Sequence, residues 1–178
     1  MAEQEATQTP VNPPRVSVVG IGGSAGAITA LRDLFDALPP DLGLAYVVVV
    51  HLAPDHESDL PSILSRCTSM SVLEVKDDQI LELRPDCVYV ISPDRQLRIS
   101  DHSIGSRAFD DPRSRRASID VFFRSLAECH GDGFAVILSG GGSDGTLGAR
   151  AVKEGGGLVL VQDPAEATHD AMPRAVIA

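Results

Sequence analysis

The sequence predicts an α/β fold with a doubly wound, mostly parallel sheet, helices on both faces and a small antiparallel β insertion. Short apolar runs of strand length alternate with segments in which apolar residues recur at helical spacing. Several of these runs are apolar throughout, which is typical of parallel strands covered on both faces. Glycine-rich turns follow some of them, and this alternation favours a doubly wound domain.

Two strands and two helices are predicted in the first third of the chain. Residues 15–21 are expected to form a strand, and 25–38 a helix that stops before Pro39 and the proline after it. The run 44–50 is apolar throughout and predicts a buried parallel strand. A further helix is expected over 60–67.

The middle of the chain has a different pattern. Short strands are predicted around 72–75, 88–91 and 97–99, separated by acidic and proline-containing turns. The segment 71–100 is therefore the predicted antiparallel insertion. Residues 101–117 are polar and mixed in charge, which predicts a loop.

Strand–helix alternation returns in the last third. Ser118 is expected to cap a helix that runs to about residue 130. Strands are then predicted over 134–138 and 158–161, and helices over 144–154 and 171–178.

Length, charge and cysteine usage exclude several classes of protein. The 178 residues suffice for one domain, expected over 15–178, after a disordered leader at 1–14. A net charge of −10 argues against nucleic-acid binding, and the absence of an apolar run of ~18 residues argues against membrane insertion. The three cysteines are far apart, which favours neither disulfides nor a zinc site and suits a reducing cytoplasm.

The first predicted strand ends in a turn that contains a candidate nucleophile. The sequence Gly22-Gly23-Ser24-Ala25-Gly26 matches the G-x-S-x-G pattern, in which a sharp strand-to-helix turn exposes a serine. The same segment also matches the G-x-G-x-x-G/A dinucleotide-binding pattern. That alternative requires an acidic residue after the second strand, whereas Asp41 precedes it and His51 follows it.

The second and later strands end in a candidate base and a candidate acid. His51 closes a fully apolar strand, and beside a nucleophile it is interpreted as a general base rather than a structural histidine. His56 is the local competitor and lies in a charged stretch. Asp144 lies among glycines after the strand 134–138, and would orient the histidine. A helix N-cap or a phosphate-binding turn are the alternatives for this segment.

At these residues the chain resembles the catalytic domain of the chemotaxis receptor methylesterases of the CheB type. The matching motifs lie in order from about residue 15 to the end of the chain. They are Val19–Gly26, Val50–His56, Val88–Pro93, Ser118–Phe123, Val136–Gly140 with Ser143–Gly145, Gln162–Pro164 and Met172–Arg174. Several separate motifs in register are a stronger signal than one G-x-S-x-G pattern.

The resemblance implies a serine hydrolase with Ser24, His51 and Asp144 as its triad and no metal or cofactor. It implies hydrolysis of methyl-glutamate esters on the cytoplasmic helices of chemoreceptors, with possible deamidation of receptor glutamines. Backbone N–H groups of Ala25 and Gly141 are the candidate oxyanion donors. We also expect the chain to be cut short at its C-terminal end from a longer protein, such as a methylesterase–methyltransferase fusion.

A basic cluster in this acidic chain is a candidate docking surface. It comprises Arg107, Arg113, Arg115 and Arg116. Receptor methylation helices are rich in Glu and Gln, so Arg115 and Arg116 are predicted to contact them, with Met172 as a further candidate. A solvated charged loop balanced by neighbouring aspartates is an equally open interpretation.

Two other functional classes stay open on the sequence alone. One is a non-catalytic regulatory module with the same fold, against which the three intact triad positions argue. The other is a dinucleotide-binding domain, which binding of NAD or ATP would reveal.

Overall fold

The computed structural model describes residues 15–52, 58–109, 111 and 116–178. Helices and strands alternate along most of this chain. In order they are β1 (Val18–Gly23), α1 (Ala27–Ala37), β2 (Ala45–Val50), α2 (Leu60–Leu64), β3 (Ser71–Val75), β4 (Ile80–Glu82), β5 (Cys87–Ile91), β6 (Gln96–Ile99), β7 (Ser103–Arg107), α3 (Ser118–Cys129), β8 (Phe134–Ile137), α4 (Thr146–Glu154), β9 (Leu158–Val161) and α5 (Ala171–Ile177).

The main sheet is parallel throughout and has the strand order β3-β5-β2-β1-β8-β9. The chain leaves β1 for β2 on one side and comes back later to β8 on the other side. In open α/β sheets, ligands bind in the crevice beyond the carboxyl ends of the strands at such a switch point. The predicted doubly wound, mostly parallel sheet is confirmed.

Helices cover both faces of this sheet, and glycines in β1 allow one of them to approach closely. A Cβ added at Gly22 would lie 2.5 Å from Cγ2 of Ile119 in α3, and one at Gly20 would lie 2.8 Å from the Phe122 ring. The side chains of Val19 and Ile21 point to the opposite face, where they line an apolar groove with residues of α1. The glycine pattern of β1 therefore serves helix–sheet packing.

The close approach of α3 gives a prediction for stability. Replacing Gly22 with alanine puts a methyl group into Ile119 and Ile137, so we expect the free energy of unfolding to fall by about 1–3 kcal/mol. The control is Gly105→Ala, where the nearest atoms to an added Cβ are 3.8 Å away. Urea denaturation would show a lower midpoint for the first variant only; equal midpoints would contradict this packing.

The antiparallel sheet is present, but its strands are not those predicted. It consists of β4, β7 and β6 in that order. Of the three strands predicted within 71–100, only β6 belongs to it, since β3 and β5 join the main sheet. The prediction of a loop over 101–117 is also wrong at β7. Its sequence, Ser-Ile-Gly-Ser-Arg, is mostly polar, yet it forms a strand whose residues alternate in burial. Partner strands, rather than local composition, decided these assignments.

Two helices begin later than predicted because a glycine with positive φ precedes each. Gly26 has φ 77° before α1, and Gly145 has φ 91° before α4. Residues other than glycine rarely adopt this backbone conformation without strain. The turns that hold Ser24 and Asp144 are therefore kept out of the helices. The predicted Ser118 cap is wrong as well, because Ala117 occupies the N-cap position and Ser118 is the first residue of α3.

Some predictions concern residues outside the described ranges. These are the leader 1–14, the competing histidine His56, and the docking candidates Arg113 and Arg115. Within the described ranges, no helix combines the length and the apolar character that crossing a bilayer requires.

Candidate active site

Three neighbouring strands bring the predicted site residues together. In the sheet, β1 lies between β2 and β8. Ser24 directly follows β1, His51 directly follows β2, and Asp144 lies in the turn between β8 and α4. Because parallel strands end at the same edge of a sheet, residues as far apart in sequence as His51 and Asp144 meet there.

The three side chains form a continuous chain of hydrogen bonds. Nδ1 of His51 lies 3.2 Å from Oγ of Ser24, and Nε2 lies 2.7 Å from Oδ2 of Asp144. With the Nε2–H donated to the carboxylate, Nδ1 has a free lone pair that can accept the serine proton. The ring is turned relative to the serine-protease arrangement, in which Nε2 faces the serine, but each nitrogen still faces one partner.

The Asp144 side chain is buried and accepts several hydrogen bonds. Its side chain is only 4% exposed, whereas that of His51 is 28% exposed. Besides His51, the carboxylate accepts hydrogen bonds from the backbone N–H groups of Ile119 at 3.0 Å and Asp120 at 2.9 Å. These donors belong to the first turn of α3, whose positive dipole end also stabilises an anion. Asp144 thus caps a neighbouring helix rather than its own.

Ser139 holds the turn that contains Ser24. Its carbonyl accepts the Ser24 N–H at 3.0 Å, and its hydroxyl donates to the Ala25 carbonyl at 2.8 Å. The same hydroxyl accepts the His169 N–H at 2.9 Å, and the residue is 1% exposed. Every polar group that Ser139 offers toward this turn is therefore used.

Removing that hydroxyl should loosen the turn. In Ser139→Ala, the Ala25 carbonyl and the His169 N–H lose a buried partner, so we expect the free energy of unfolding to fall by about 1–3 kcal/mol. Ser143→Ala is the control, since Ser143 is an exposed serine of the neighbouring turn. Urea denaturation compares the two variants, and an unchanged midpoint for Ser139→Ala would contradict this role.

The two predicted oxyanion donors, Ala25 and Gly141, lie in the turns that follow β1 and β8. Neither the Ala25 N–H nor the Gly141 N–H donates to another residue in the described part of the chain. Gly140 packs close to Ser24, because a Cβ added there would lie 3.1 Å from Cβ of Ser24. Gly141 follows and is exposed, with no atom within 4 Å of an added Cβ. Both N–H groups are thus unpaired within the described residues, and their role as oxyanion donors stays a prediction.

A pocket of about 130 Å³ opens beside His51. Its walls include the apolar residues Leu52, Ile91 and Phe109 and the polar residues Ser92, Asp94, Arg95 and Ser118. Arg95 forms a two-point ion pair with Asp77, at 2.7 and 2.6 Å. This hydrogen-bonded pair lowers the pKa of the Asp77 carboxyl. The pocket therefore has both apolar and polar walls next to His51.

Sequence reasoning missed the residues that support this site. It assigned no role to Ser139, to Arg95 or to the first turn of α3. Asp120 is half-buried there, and burial raises the pKa of its carboxyl, with the Asp144 charge as a further cause. For Ser139 and the first turn of α3, the only sequence signal was that 136–140 and 118–123 lie in the motifs of the resemblance; Arg95 lies outside every motif.

The docking candidates are distributed unevenly. Arg116 is exposed just before α3, and Arg107 is exposed at the end of β7. Met172, in contrast, is fully buried, and its side chain fills the space above Gly140. The prediction of Met172 as a docking residue is therefore wrong, because a buried packing residue presents no surface. No group of three or more possible metal ligands occurs among the described residues.

Comparison with known proteins gives this geometry a family. The model of the CheB methylesterase family matches residues 19–178. A relative from Leptospira interrogans is 35% identical over 163 residues, which cover 88% of this chain and 81% of the relative. The protein-glutamate methylesterase/protein-glutamine glutaminase of Maricaulis maris is 32% identical over 173 residues, 94% of this chain but 43% of that protein.

A solved structure shows the same fold. The crystal structure of the Thermotoga maritima CheB methylesterase catalytic domain superposes with a TM-score of 0.82 and 30% identity, over 91% of this chain and 87% of that one. The resemblance seen in the sequence motifs is confirmed. The chain belongs to the CheB methylesterase family.

Proposed function

We propose that this chain hydrolyses methyl esters on glutamate side chains of a chemoreceptor and releases methanol. The observation that supports it most is the hydrogen-bonded chain from Ser24 through His51 to Asp144, at adjacent strand ends of a CheB-family domain. Ser24 is the proposed nucleophile, His51 the general base and acid, and Asp144 the group that orients the imidazole.

The first half of the proposed reaction forms an acyl-enzyme. Oγ of Ser24 attacks the γ-carbonyl carbon and transfers its proton to Nδ1 of His51, and Asp144 stabilises the resulting imidazolium. Backbone N–H groups of Ala25 and Gly141 hold the negative oxygen; loss of one such donor typically costs ~3 kcal/mol. The C–O bond to the methoxy group then breaks, and methanol leaves with the proton from His51.

The second half restores the enzyme. Water gives a proton to Nδ1 of His51 and attacks the acyl carbon. The acyl–Oγ bond then breaks as His51 returns that proton to Ser24, and the glutamate side chain leaves as an acid that ionises in solvent. The same steps on a glutamine would release ammonia, because both reactions are acyl transfers at a side-chain carbonyl. The proposal therefore includes deamidation as a side activity, and it involves no metal or cofactor.

The proposed substrate is a protein of the cytoplasm. Receptor methylation helices are acidic, and Arg116 is exposed just before the helix that supports Asp144. Docking by Arg116, together with Arg115, stays part of this proposal. The pocket beside His51 is a candidate to receive the methylated side chain.

Methanol release tests the proposal. The protein is incubated with a receptor fragment that carries methyl-glutamate, and with the same fragment carrying unmethylated glutamate. We expect methanol from the methylated fragment only. A fluorophosphonate should stop the release, and mass spectrometry should find the reagent on Ser24. Absence of methanol from methylated fragments would overturn the proposed activity and would favour a binding module of the same fold.

A further inference from the structure

Helices α3 and α4 begin side by side, and neither has a side-chain cap of its own. The residues at their N-cap positions, Ala117 and Gly145, make no capping hydrogen bond through a side chain. The first N–H groups of a helix nevertheless need acceptors when they are buried. In this domain the acceptors come from the opposite helix.

Each helix start is capped by an aspartate from the other segment. Asp144, just before α4, accepts the N–H groups of Ile119 and Asp120 in the first turn of α3. Asp120 of α3 accepts the Gly148 N–H in the first turn of α4 at 2.7 Å, with a further favourable contribution from the Gly145 N–H. Each aspartate thus satisfies the start of the other helix.

These reciprocal caps connect Asp120 to the proposed catalytic side chains in two ways. Its backbone N–H donates to Oδ1 of Asp144, while its carboxylate accepts the Gly148 N–H in the first turn of α4, the helix that follows Asp144. The helices are in close contact here, since a Cβ added at Gly148 would lie 3.0 Å from the Asp120 carbonyl oxygen. A continuous set of contacts thus leads from the Asp120 carboxylate through the start of α4 and Asp144 to the ring of His51.

We propose that Asp120 is a positioning residue for the proposed esterase: its carboxylate oxygen, as a hydrogen-bond acceptor, fixes Asp144 and through it His51. The inference rests on the proposed function for its kinetic consequences. Asp120 acts through Asp144, and its contribution is geometric. Misplacement of a reacting group by about 1 Å can reduce a rate on the order of 100-fold.

The charge on Asp120 reduces the stability of the fold, which is typical of a residue that serves function rather than stability. Burial raises the pKa of its carboxyl above the ordinary value of 3.8, and the Asp144 charge adds to this, whereas Arg124 and the α4 N–H groups oppose it. Because the pKa is higher in the folded state than in the unfolded one, ionisation of Asp120 reduces the stability of the fold. This loss is absent at a pH below the ordinary pKa and complete at a pH above the folded-state pKa. Asp120→Asn should therefore be at least as stable as the wild type near neutral pH, with the difference fading in acid.

Three substitutions separate position from charge. Asp120→Asn keeps an acceptor in place without the charge, Asp120→Glu keeps the charge but moves the acceptor, and Asp120→Ala removes both. Glu128→Gln is the control, an exposed charge change near the other end of α3. Each variant is assayed for kcat on a methyl-glutamate receptor fragment, and for the low-field NMR signal of the His51 Nε2 proton. Thermal unfolding shows whether each variant is folded.

The proposal expects Asn to rescue and Glu to fail. We expect kcat within about threefold of wild type for Asp120→Asn and Glu128→Gln, and a loss of about tenfold or more for Asp120→Glu and Asp120→Ala. The His51 proton signal should persist in the Asn variant and shift or vanish in the Glu variant. Full activity and an unchanged signal in Asp120→Glu would overturn the proposal, even if Asp120→Ala does not fold. If the wild type releases no methanol, the proposed function fails, while the NMR comparison still decides the positioning role.

Discussion

Replacing Ser24 with alanine is expected to lower kcat for methyl-ester hydrolysis by about 10⁴-fold or more. Oγ of Ser24 lies 3.2 Å from Nδ1 of His51, and among the described residues no other side chain is hydrogen-bonded to that nitrogen. The residual rate would come from the Ala25 and Gly141 N–H groups and from substrate binding alone. KM should change little, because the hydroxyl acts mainly in the transition state.

The measurement is methanol release at saturating substrate, with thermal unfolding in parallel. Ser143→Ala removes an exposed hydroxyl from the neighbouring turn and should keep wild-type kcat. Ser24 is held by its backbone N–H to Ser139, so Ser24→Ala should keep the wild-type melting temperature. If the variant retains substantial activity while folded, Ser24 is not the nucleophile.

Replacing Asp144 with asparagine is expected to cost about 10⁴-fold in kcat. An amide NH₂ that faces Nε2 would require that nitrogen to accept, which places the ring proton on Nδ1, facing Ser24. The ring can then no longer take the serine proton. Burial makes the effect severe, because the Asp144 side chain is 4% exposed and water cannot replace the carboxylate.

The same substitution should also reduce stability. The carboxylate accepts N–H groups from Ile119 and Asp120 on its two oxygens, and an amide leaves one of them facing an NH₂ group. We expect the free energy of unfolding to fall by about 1–3 kcal/mol. Asp36→Asn, on the exposed side of α1, is the matched control for both assays. Wild-type kcat in folded Asp144→Asn would exclude Asp144 from the mechanism.

The catalytic candidates were predictable because their signals are local. A buried apolar run of six residues must be a strand in this pattern, and the residue after it must lie at the edge of the sheet. Small residues around Ser24 and Asp144 mark turns that a helix cannot include. His51 could be preferred over His56 because it alone follows a fully apolar run.

The misassigned strands show where local signals end. The run Cys87–Ile91 is buried at every position, yet it was placed in the insertion because short strands and turns surround it. Its pairing with β2 and β3 places it in the main sheet. Met172 is likewise an apolar residue that was a candidate for contact with a partner, and only its packing against Gly140 shows that it is buried.

By itself, the sequence determined the fold class, the three side chains at the strand ends and the family. The spacing of apolar residues, the positions of glycines and the order of the motifs can all be read from the chain alone. Only the tertiary structure decided that β2, β1 and β8 are neighbours, that α3 presents its first N–H groups to Asp144, and that Ser139 and Asp120 support the site. Those arrangements depend on contacts between residues far apart in the chain, and such contacts are selected by mutual burial and hydrogen-bond satisfaction that no local pattern records.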